Sequence, residues 1–258
     1  MSDNENSLFN QSLEKGLAVL RAFNARSRTM NLAEVAEAAD ITKSSAQRMI
    51  HTLEALGYVC KHPQTKRFQL TPQVMEIGYN YLAADTLVDV ANPFLAELAQ
   101  TTGETTNLTE PVRTDMLYVA RFVGPKFIPI HLPIGSRIPM YCTASGRAFL
   151  SALSDDEVLE LLQGSDLSSH TQYTRTSLEE ILAEIAEIRR KGYAINSEEL
   201  FLGDMAVAAP VRNSQGRPVA SVHVVAPTSR WTREDAERRL APAAIECARA
   251  ISTSIRTL

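Results

Sequence analysis

The feature of this 258-residue chain that most limits its possible folds is the segment 31–59, "NLAEVAEAADITKSSAQRMIHTLEALGYV". It contains two short helical patterns separated by a break of three to four residues. The first begins at Asn31, which forms a capping-box pattern with Glu34 and precedes an apolar repeat. The second follows Thr42, a predicted N-cap, and ends before Gly57, which suits the left-handed position after a helix. Two helices joined this tightly predict a helix-turn-helix, whose second helix enters the DNA major groove.

The second of these helices has two faces. Polar side chains recur opposite an apolar stripe, and they are of the types that hydrogen-bond to bases and phosphates. Gln47 is suited to adenine, and Arg48 is suited to guanine or a phosphate. The stripe expected in the core is Ala46, Met49, Ile50, Leu53 and Leu56. The residues expected to contact DNA on this helix are Thr42, Lys43, Ser44, Ser45, Gln47 and Arg48.

The segment after Gly57, "YVCKHPQTKRFQLT", predicts two short strands at 58–61 and 67–70 around a turn. Strands in this position form a wing, and Lys66 and Arg67 at its tip are expected to contact phosphates. Residues 10–71 hold nine Lys/Arg against five Asp/Glu, although the whole chain has a net charge of −4. This charge asymmetry favours DNA binding. The alternative is a three-helix packing module whose polar face is only solvated.

The remaining patterns predict a linker helix and then a mixed α/β unit. An apolar stripe of Leu13, Leu17, Leu20 and Phe23 also predicts a helix at 12–24, ahead of the helix-turn-helix. Pro93 is predicted to start a helix ending near Gly103, Ser154 and Ser177 open capping boxes, and a final helix runs from about Thr232 to the end. The predicted strands are "ETTNLTEPV", "DMLYVARFV", "FIPIHL", "GYAIN", "DMAVAAPVRN" and "PVASVHVVAP".

We therefore expect an α+β chain with a short disordered lead at 1–9, a winged helix-turn-helix at 10–71, a linker helix at 72–88 and an α/β sensor unit at 89–258. No run of eighteen apolar residues predicts a membrane span. The polar N-terminus does not resemble a secretory signal, and an odd number of scattered cysteines favours a reducing cytoplasm. The chain has no P-loop, GxGxxG or zinc spacing, so neither a cofactor nor a metal is expected.

At this point the chain resembles a known family, the IclR family of bacterial transcriptional regulators. The DNA-binding half is similar in "SLEKGLAVLRAFN", the helix-turn-helix segment and "RFQLTP", and the second half in "GSRIPMYCTASGRAFLS" and "GYAINSEELFLGDMAVAAPVRNSQGRPVASVHVVAP". The resemblance implies a winged helix-turn-helix, a linker helix and a GAF-like effector domain. It implies dimers or tetramers on palindromic operators and a small organic or aromatic acid as effector, typical of regulators of catabolic operons, here aromatic-acid degradation.

The resemblance also implies an effector pocket, built from the "TASG" turn at 143–146 and the later strands. Backbone N–H groups at Ala144 and Ser145 would suit a ligand carboxylate, although close packing of small residues would explain the same motif. The residues expected to contact the effector are Ala144, Ser145, Asn196, Glu198, Asp204, Ala206 and His223.

Some of these positions differ from the family pattern. A glyoxylate-responsive member has Asp where this chain has Asn196, Cys at Ala206, and serines at His223 and Val225. These differences indicate a different ligand. His223 on an apolar strand could donate to an acid or a phenol, but a lone histidine there is more often structural.

The alternative function is an enzyme that processes a small molecule in the C-terminal pocket. "TASGR" lacks the flanking glycines of a nucleophile elbow. Cys142 could act as a reactive thiol, but no sequence feature assigns it a histidine partner, and a buried small side chain is the more common role. The sequence therefore favours a ligand-responsive DNA-binding regulator over an enzyme.

Overall fold

The computed structural model describes residues 8–126, 130 and 132–255. The chain divides into two compact units between Ala83 and Ala84. Of the predicted lead at 1–9, all but Leu8 and Phe9 fall outside the described residues. Among the described residues, no helix combines the length and apolar character needed to cross a membrane.

The N-terminal unit is a helix-turn-helix with a two-stranded wing, as the sequence predicts. Antiparallel pairing joins β1 to β2, and the backbone of Met30 adds a bridge to Phe68 with N···O distances of 3.0 and 2.7 Å. This bridge fixes the wing to the segment that leads into the helix-turn-helix. The elements are α1 (Gln11–Ala22), α2 (Leu32–Ala38), α3 (Lys43–Ala55), β1 (Val59–Lys61), β2 (Phe68–Leu70) and α4 (Val74–Ala84).

Local capping explains where these helices begin and end. The side chain of Asn31 accepts from the N–H groups of Ala33 and Glu34, and the Glu34 carboxylate accepts from the N–H of Asn31, so the capping box is confirmed. After α3, Gly57 has φ 84°. A Cβ there would lie 2.4 Å from Oε1 of Gln73, a side-chain end that can move, so the left-handed conformation is what favours glycine at this position.

The core of this unit differs from the prediction at three leucines. Ala46, Ile50 and Leu53 are buried as expected, but Leu56 is 57% exposed because α3 ends at Ala55. In α1, Leu13 and Leu17 are 62% and 40% exposed. The expected stripe is therefore wrong at Leu13 and Leu17 but confirmed at Leu20 and Phe23, which pack in the core together with Val19 and Ala22.

The C-terminal unit is built on a six-stranded antiparallel sheet of order β5-β4-β3-β8-β7-β6 within the described residues. Residues of α6 and α8 pack with alternate residues of β7, and α10 packs on β7 and on α5. The elements are α5 (Thr86–Thr102), β3 (Thr106–Val112), β4 (Asp115–Phe122), β5 (Arg137–Pro139), α6 (Ala144–Leu150), α7 (Asp155–Gln163), α8 (Leu178–Lys191), β6 (Ala194–Ser197), β7 (Met205–Arg212), β8 (Pro218–Val225), α9 (Arg233–Asp235), a π-helical turn (Ala236–Leu240) and α10 (Ala241–Ser254).

The helix predicted to start at Pro93 is the clearest error in this unit. Helix α5 begins seven residues earlier, after Asp85, whose carboxylate accepts from the N–H of Leu87 at 2.9 Å. Pro93 lies inside the helix, although it cannot donate a backbone hydrogen bond. Burial of the stripe that includes Val88, Leu95 and Leu98 stabilises the helix through the proline.

The predicted capping boxes, the strand at 127–132 and the final helix agree with the structure to different degrees. The capping box at Ser154 is confirmed, whereas at Ser177 the described hydrogen bonds give one half, with the N–H of Glu180 donating to the hydroxyl at 3.5 Å. The predicted strand "FIPIHL" (127–132) lies outside the described residues except for Ile130 and Leu132. The final helix is interrupted by the π-helical turn ahead of α10.

Candidate DNA-reading surface and effector cavity

The polar face of α3 borders an open concave surface of about 820 Å³, here called the reading surface. Ser44, Gln47 and Arg48 are exposed there and face the same space as two lysines of the wing. The reading surface is lined by Leu32, Ser44, Gln47, Arg48, Ile50, His51, Glu54, Lys61, Lys66 and Phe68.

Two of the predicted DNA contacts serve the start of α3. The hydroxyl of Thr42 accepts from the N–H of Ser45 at 3.2 Å and lies 3.1 Å from the hydroxyls of Ser44 and Ser45. Ser45 is buried, whereas Thr42, Lys43 and Ser44 are exposed. The helix start therefore offers exposed hydroxyl and amine groups, with Ser45 turned into the core.

The two wing residues predicted to contact phosphates, Lys66 and Arg67, lie in different surroundings. Arg67 pairs with Glu34 at 2.5 Å and donates to the hydroxyl and carbonyl of Thr29 at 3.0 and 2.8 Å. The backbone N–H of Asn31 and the guanidinium of Arg67 hold the pKa of Glu34 below its usual value. Lys66, with φ 58°, lines the reading surface instead. Most N–H groups of Arg67 are thus used within the unit.

Sequence reasoning missed Lys61. It lies at the end of β1, exposed, with its Nζ 5.3 Å from the ring centre of Phe68, and it lines the reading surface beside Lys66. Strand alternation gave no signal for it, because Lys61 lies two residues from the buried Val59 and therefore on the same side of the strand; its exposure comes from its position at the end of β1.

A second concavity lies inside the C-terminal unit and measures about 40 Å³; it is here called the effector cavity. It brings together every predicted effector residue except Glu198. The sequence did not predict Tyr118, Leu132, Ile138, Leu200 or Phe201, whereas Thr143 belongs to the predicted "TASG" turn and Val225 is one of the positions compared with the family pattern. The effector cavity is lined by Tyr118, Leu132, Ile138, Thr143, Ala144, Ser145, Asn196, Leu200, Phe201, Asp204, Ala206, His223 and Val225.

Strand register explains why residues distant in sequence meet there. Asn196 pairs with Ala206 across β6 and β7, and Ala206 pairs with Val225 across β7 and β8. These three residues therefore form one row across the sheet, since directly paired residues point to the same face. His223 lies two residues before Val225 on β8, so its side chain points to the same face of the sheet.

The "TASG" turn closes one side of the effector cavity. The hydroxyl of Thr143 accepts from the N–H of Gly146 at 3.2 Å, and the hydroxyls of Ser145 and Thr109 are hydrogen-bonded to each other. Ala144 and Ser145 are each 2% exposed. The motif thus packs α6 closely on the sheet and also lines the cavity.

A buried ion-pair network orients Asn196. Arg147 and Glu199, both buried, form two hydrogen bonds of 2.6 and 2.7 Å. The Nδ2 of Asn196 donates to Oε1 of Glu199 at 2.9 Å, and Arg175 donates to the same carboxylate. This hydrogen bond fixes which way the Asn196 amide faces, with Nδ2 toward Glu199 and Oδ1 left as its acceptor.

Glu198 holds the loop between β6 and β7. It has φ 60°, its carboxylate accepts from the N–H of Gly203 at 2.7 Å, and its own N–H donates to the carbonyl of Asp204 at 2.7 Å. This loop carries Leu200 and Phe201 over the effector cavity. In the structure, Glu198 therefore stabilises the conformation of that loop through these two hydrogen bonds.

The titratable groups of the effector cavity are shifted toward their neutral forms. Burial, together with the charge of the nearby Arg121 guanidinium, lowers the pKa of His223 to about 3. Burial raises the pKa of Asp204 to about 7. Burial and the charge of Asp204 also raise the pKa of Tyr118.

Two family models match the chain. The IclR helix-turn-helix domain matches residues 12–63, and the bacterial transcriptional regulator IclR C-terminal domain matches residues 79–253. The chain belongs to the IclR family. It is a DNA-binding transcriptional regulator with an N-terminal winged helix-turn-helix and a C-terminal α/β effector domain, and members of this family are not enzymes.

Two curated relatives support this IclR assignment. The Pca regulon regulatory protein of Pseudomonas putida is 32% identical over 93% of this chain and 82% of its own length. The p-hydroxybenzoate hydroxylase transcriptional activator of Acinetobacter baylyi is 31% identical over 84% of this chain and 82% of its own length.

Solved structures share the IclR fold. A transcriptional regulator of Rhodococcus sp. RHA1 is 36% identical, with a TM-score of 0.82 over 96% of this chain and 99% of that one. An IclR homologue of Microbacterium hydrocarbonoxydans, complexed with 4-hydroxybenzoate, is 20% identical with a TM-score of 0.78 and covers 96% of this chain and 100% of its own. At that identity the likeness establishes the fold alone.

Cys142 lacks the environment of a nucleophile. It is fully buried, and burial raises the pKa of its thiol to about 12. In the described part of this IclR-family chain, no cluster of three or more His, Cys, Asp or Glu could hold a metal ion.

Asp204 is expected to make stability depend on pH. Its pKa is about 7 in the folded chain against an ordinary 3.8, so the stability of this IclR protein should fall as pH rises between these values and level off above about 7. Asp204→Asn should remove this loss, giving an increase in Tm that is larger at about pH 8 than at about pH 5. Thermal unfolding of both proteins, with the exposed Asp155→Asn as control, measures this. An increase that is equal at both pH values would contradict it.

Proposed function

We propose that the protein controls a catabolic operon for aromatic acids, binding a palindromic operator as a homodimer or homotetramer and responding to a small organic or aromatic acid. The observation that carries this proposal is the effector cavity, which has apolar walls with a few polar groups and lies in the C-terminal unit, whereas the DNA-reading surface lies in the N-terminal unit. Effector binding shifts an equilibrium between conformations that differ in DNA affinity.

We propose that the reading surface contacts operator DNA through α3 and the wing. Gln47 and Arg48 read base edges, and Ser44 assists them from the first turn of α3. The positive charges of Lys61 and Lys66 face the same space and suit phosphates. Thr42 and Lys43 stand at the helix N-terminus, where phosphate binding is favourable. Ser45 and Arg67 support this surface through their internal hydrogen bonds.

The relatives' names support an aromatic acid as effector. One of them activates transcription of p-hydroxybenzoate hydroxylase, and a structural relative was crystallised with 4-hydroxybenzoate. In this chain, the effector cavity lined by Ala144, Ser145, Asn196, Asp204, Ala206 and His223 combines apolar walls with a few hydrogen-bonding groups, the usual character of a small-molecule site.

Exposed apolar side chains of the N-terminal unit support a homo-oligomer. Leu13 and Leu17 of α1 are exposed, and helix α4 buries none of its residues. Met75 and Tyr79 of α4 are 76% and 69% exposed. Clustered exposed apolar residues commonly mark protein–protein contacts, and a second copy of this chain is the partner that a palindromic operator implies.

A salt-dependent gel shift with the DNA upstream of the protein's own gene tests the proposal. Specific binding should weaken as salt rises and should change when 4-hydroxybenzoate or another candidate acid is added. Failure to select this DNA over a scrambled duplex, with and without acids, would overturn the proposed operator control. Sedimentation of the free protein and of the complex gives the oligomeric state.

Arg48→Ala is expected to weaken operator binding about 10- to 100-fold, because a base contact by arginine contributes roughly 1–3 kcal/mol. The fold should be unaffected, since Arg48 is exposed. Arg26→Ala is the matched control, because it removes the same charge from a different concavity of the same unit. Equal losses in both variants would mean that only net charge matters and that the assigned reading surface is wrong.

A further inference from the structure

Arg121 is a half-buried cation that hydrogen-bonds to a residue lining the effector cavity, and the proposed function does not use it. It lies on β4, and its Nη1 donates to Oδ1 of Asn107 at 3.3 Å and to the carbonyl of Leu132 at 2.9 Å. Leu132 lines the effector cavity. Within the described residues, Nε and Nη2 of Arg121 are shielded from solvent and have no hydrogen-bond partner.

These two nitrogens form one edge of the guanidinium. Nε–H and the nearer N–H of Nη2 point in parallel, and this edge binds the two oxygens of a carboxylate side by side. Burial lowers the pKa of Arg121, which reflects the unfavourable removal of its charge from water. A buried guanidinium edge without an acceptor is unfavourable, so the bound state of the protein is expected to provide one.

The hydrogen bonds of Arg121 also determine the tautomer of His223. Arginine only donates, so Asn107 accepts through Oδ1 and turns its Nδ2 toward Nε2 of His223, 3.0 Å away. Nε2 of His223 therefore accepts, and the proton of the neutral ring lies on Nδ1. In the described part of the chain, that buried Nδ1 has no partner.

Strand register places these three residues in one row. Arg121 pairs with Asn107 across β4 and β3, and Asn107 pairs with His223 across β3 and β8. The row thus carries a fixed cation at one end and a neutral N–H donor at the other. Asp204 and Oδ1 of Asn196 supply acceptors elsewhere on the cavity wall. This arrangement is complementary to a molecule with both a carboxylate and a hydroxyl group.

We propose that Arg121 binds the carboxylate of the effector through its Nε–Nη2 edge, and that Asn107 positions His223 as a second donor. This inference rests on the proposed effector function and names the ligand class, a small hydroxylated carboxylic acid. It assigns recognition of the acid group to a side-chain cation and not to the N–H groups of the "TASG" turn, where the N–H of Gly146 already donates to the hydroxyl of Thr143.

The test measures ligand binding to the full-length protein by calorimetry and thermal shift. The probes are 4-hydroxybenzoate, benzoate and a short hydroxy acid, each compared with its neutral amide. We expect wild-type protein to bind at least one acid about tenfold or more tightly than its amide. Arg121→Met should lose about tenfold or more in acid affinity while leaving amide affinity unchanged, and Arg121→Lys should restore part of the loss.

The matched control is Arg137→Met on the neighbouring strand. Arg137 is exposed and pairs with Asp115, so its removal should leave acid binding unchanged. The comparison of acid with amide needs no variant, so it decides the question even where Arg121→Met fails to fold.

The outcomes separate the two proposals. Acid binding that survives Arg121→Met, or equal binding of acid and amide, would overturn the role of Arg121 and leave the effector function intact. A wild-type protein that binds its operator but none of the acids or amides would overturn the effector class together with this inference.

Discussion

Replacing Glu199 with alanine is expected to destabilise the effector domain by about 3–5 kcal/mol, because it leaves Arg147 as a buried charge without its partner. Arg147 is 1% exposed and donates twice to this carboxylate. Asn196 and Arg175 lose the same acceptor. Urea unfolding followed by fluorescence measures the change, since the single tryptophan of the chain, Trp231, is buried in this domain.

Glu184→Ala is the matched control for this prediction. Glu184 also pairs with Arg175, at 3.1 Å, but nearer the surface, where an ion pair contributes about 0–1 kcal/mol. Equal effects of the two substitutions would show that burial does not strengthen the network. Glu199→Gln, which keeps the shape and removes the charge, should give an intermediate loss.

Replacing Gly146 with alanine is expected to destabilise the same domain by about 3 kcal/mol, near the upper end for an overpacked site. A Cβ at Gly146 would lie 2.2 Å from Cα and 2.4 Å from the carbonyl oxygen of Met140. These are backbone atoms, so helix α6 would have to move away from them. The shift should be visible in the tryptophan unfolding curve and, because Ser145 is adjacent, in weaker acid binding.

Gly164→Ala provides the comparison. Gly164 ends α7 with φ −82°, and a Cβ there would meet atoms no nearer than 3.5 Å. This substitution should be neutral or stabilise by up to about 1 kcal/mol through the unfolded chain. A similar loss of stability at both glycines would mean that close packing of α6 on Met140 is not the cause.

Features fixed by neighbouring residues were predictable from the sequence. The capping box at Asn31, the cap at Thr42 and the left-handed Gly57 depend on atoms within a few residues, so spacing alone identified them. Strands β3, β4, β6, β7 and β8 of the sensor unit were likewise found from composition and turn residues, whereas the short β5 was not. Pro93 was misplaced because the buried stripe that carries α5 through the proline forms only in the folded domain.

Contacts between distant parts of the chain could not be predicted. Nothing in the sequence pairs Arg67 with Glu34, 33 residues away, or Arg147 with Glu199, 52 residues away. The residues of the later strands that line the effector cavity were expected from the family resemblance. Tyr118 and Leu132, which also line it, and Arg121, which bonds to Leu132, were not, because they come from strand β4 and the chain after it, where the sequence suggests only a buried strand.

On the proposed function, the small volume of the effector cavity bears on the kinetics of the response. A cavity that holds benzene measures about 150 Å³, so a ring-sized acid does not fit into about 40 Å³. Side chains that line the cavity, which include Leu200 and Phe201, would therefore have to move before such an acid entered. The apparent dissociation constant would then be the intrinsic one divided by the fraction of molecules with the cavity open. The association rate and the acid concentration that gives a response would depend on how often the cavity opens, as well as on the contacts inside.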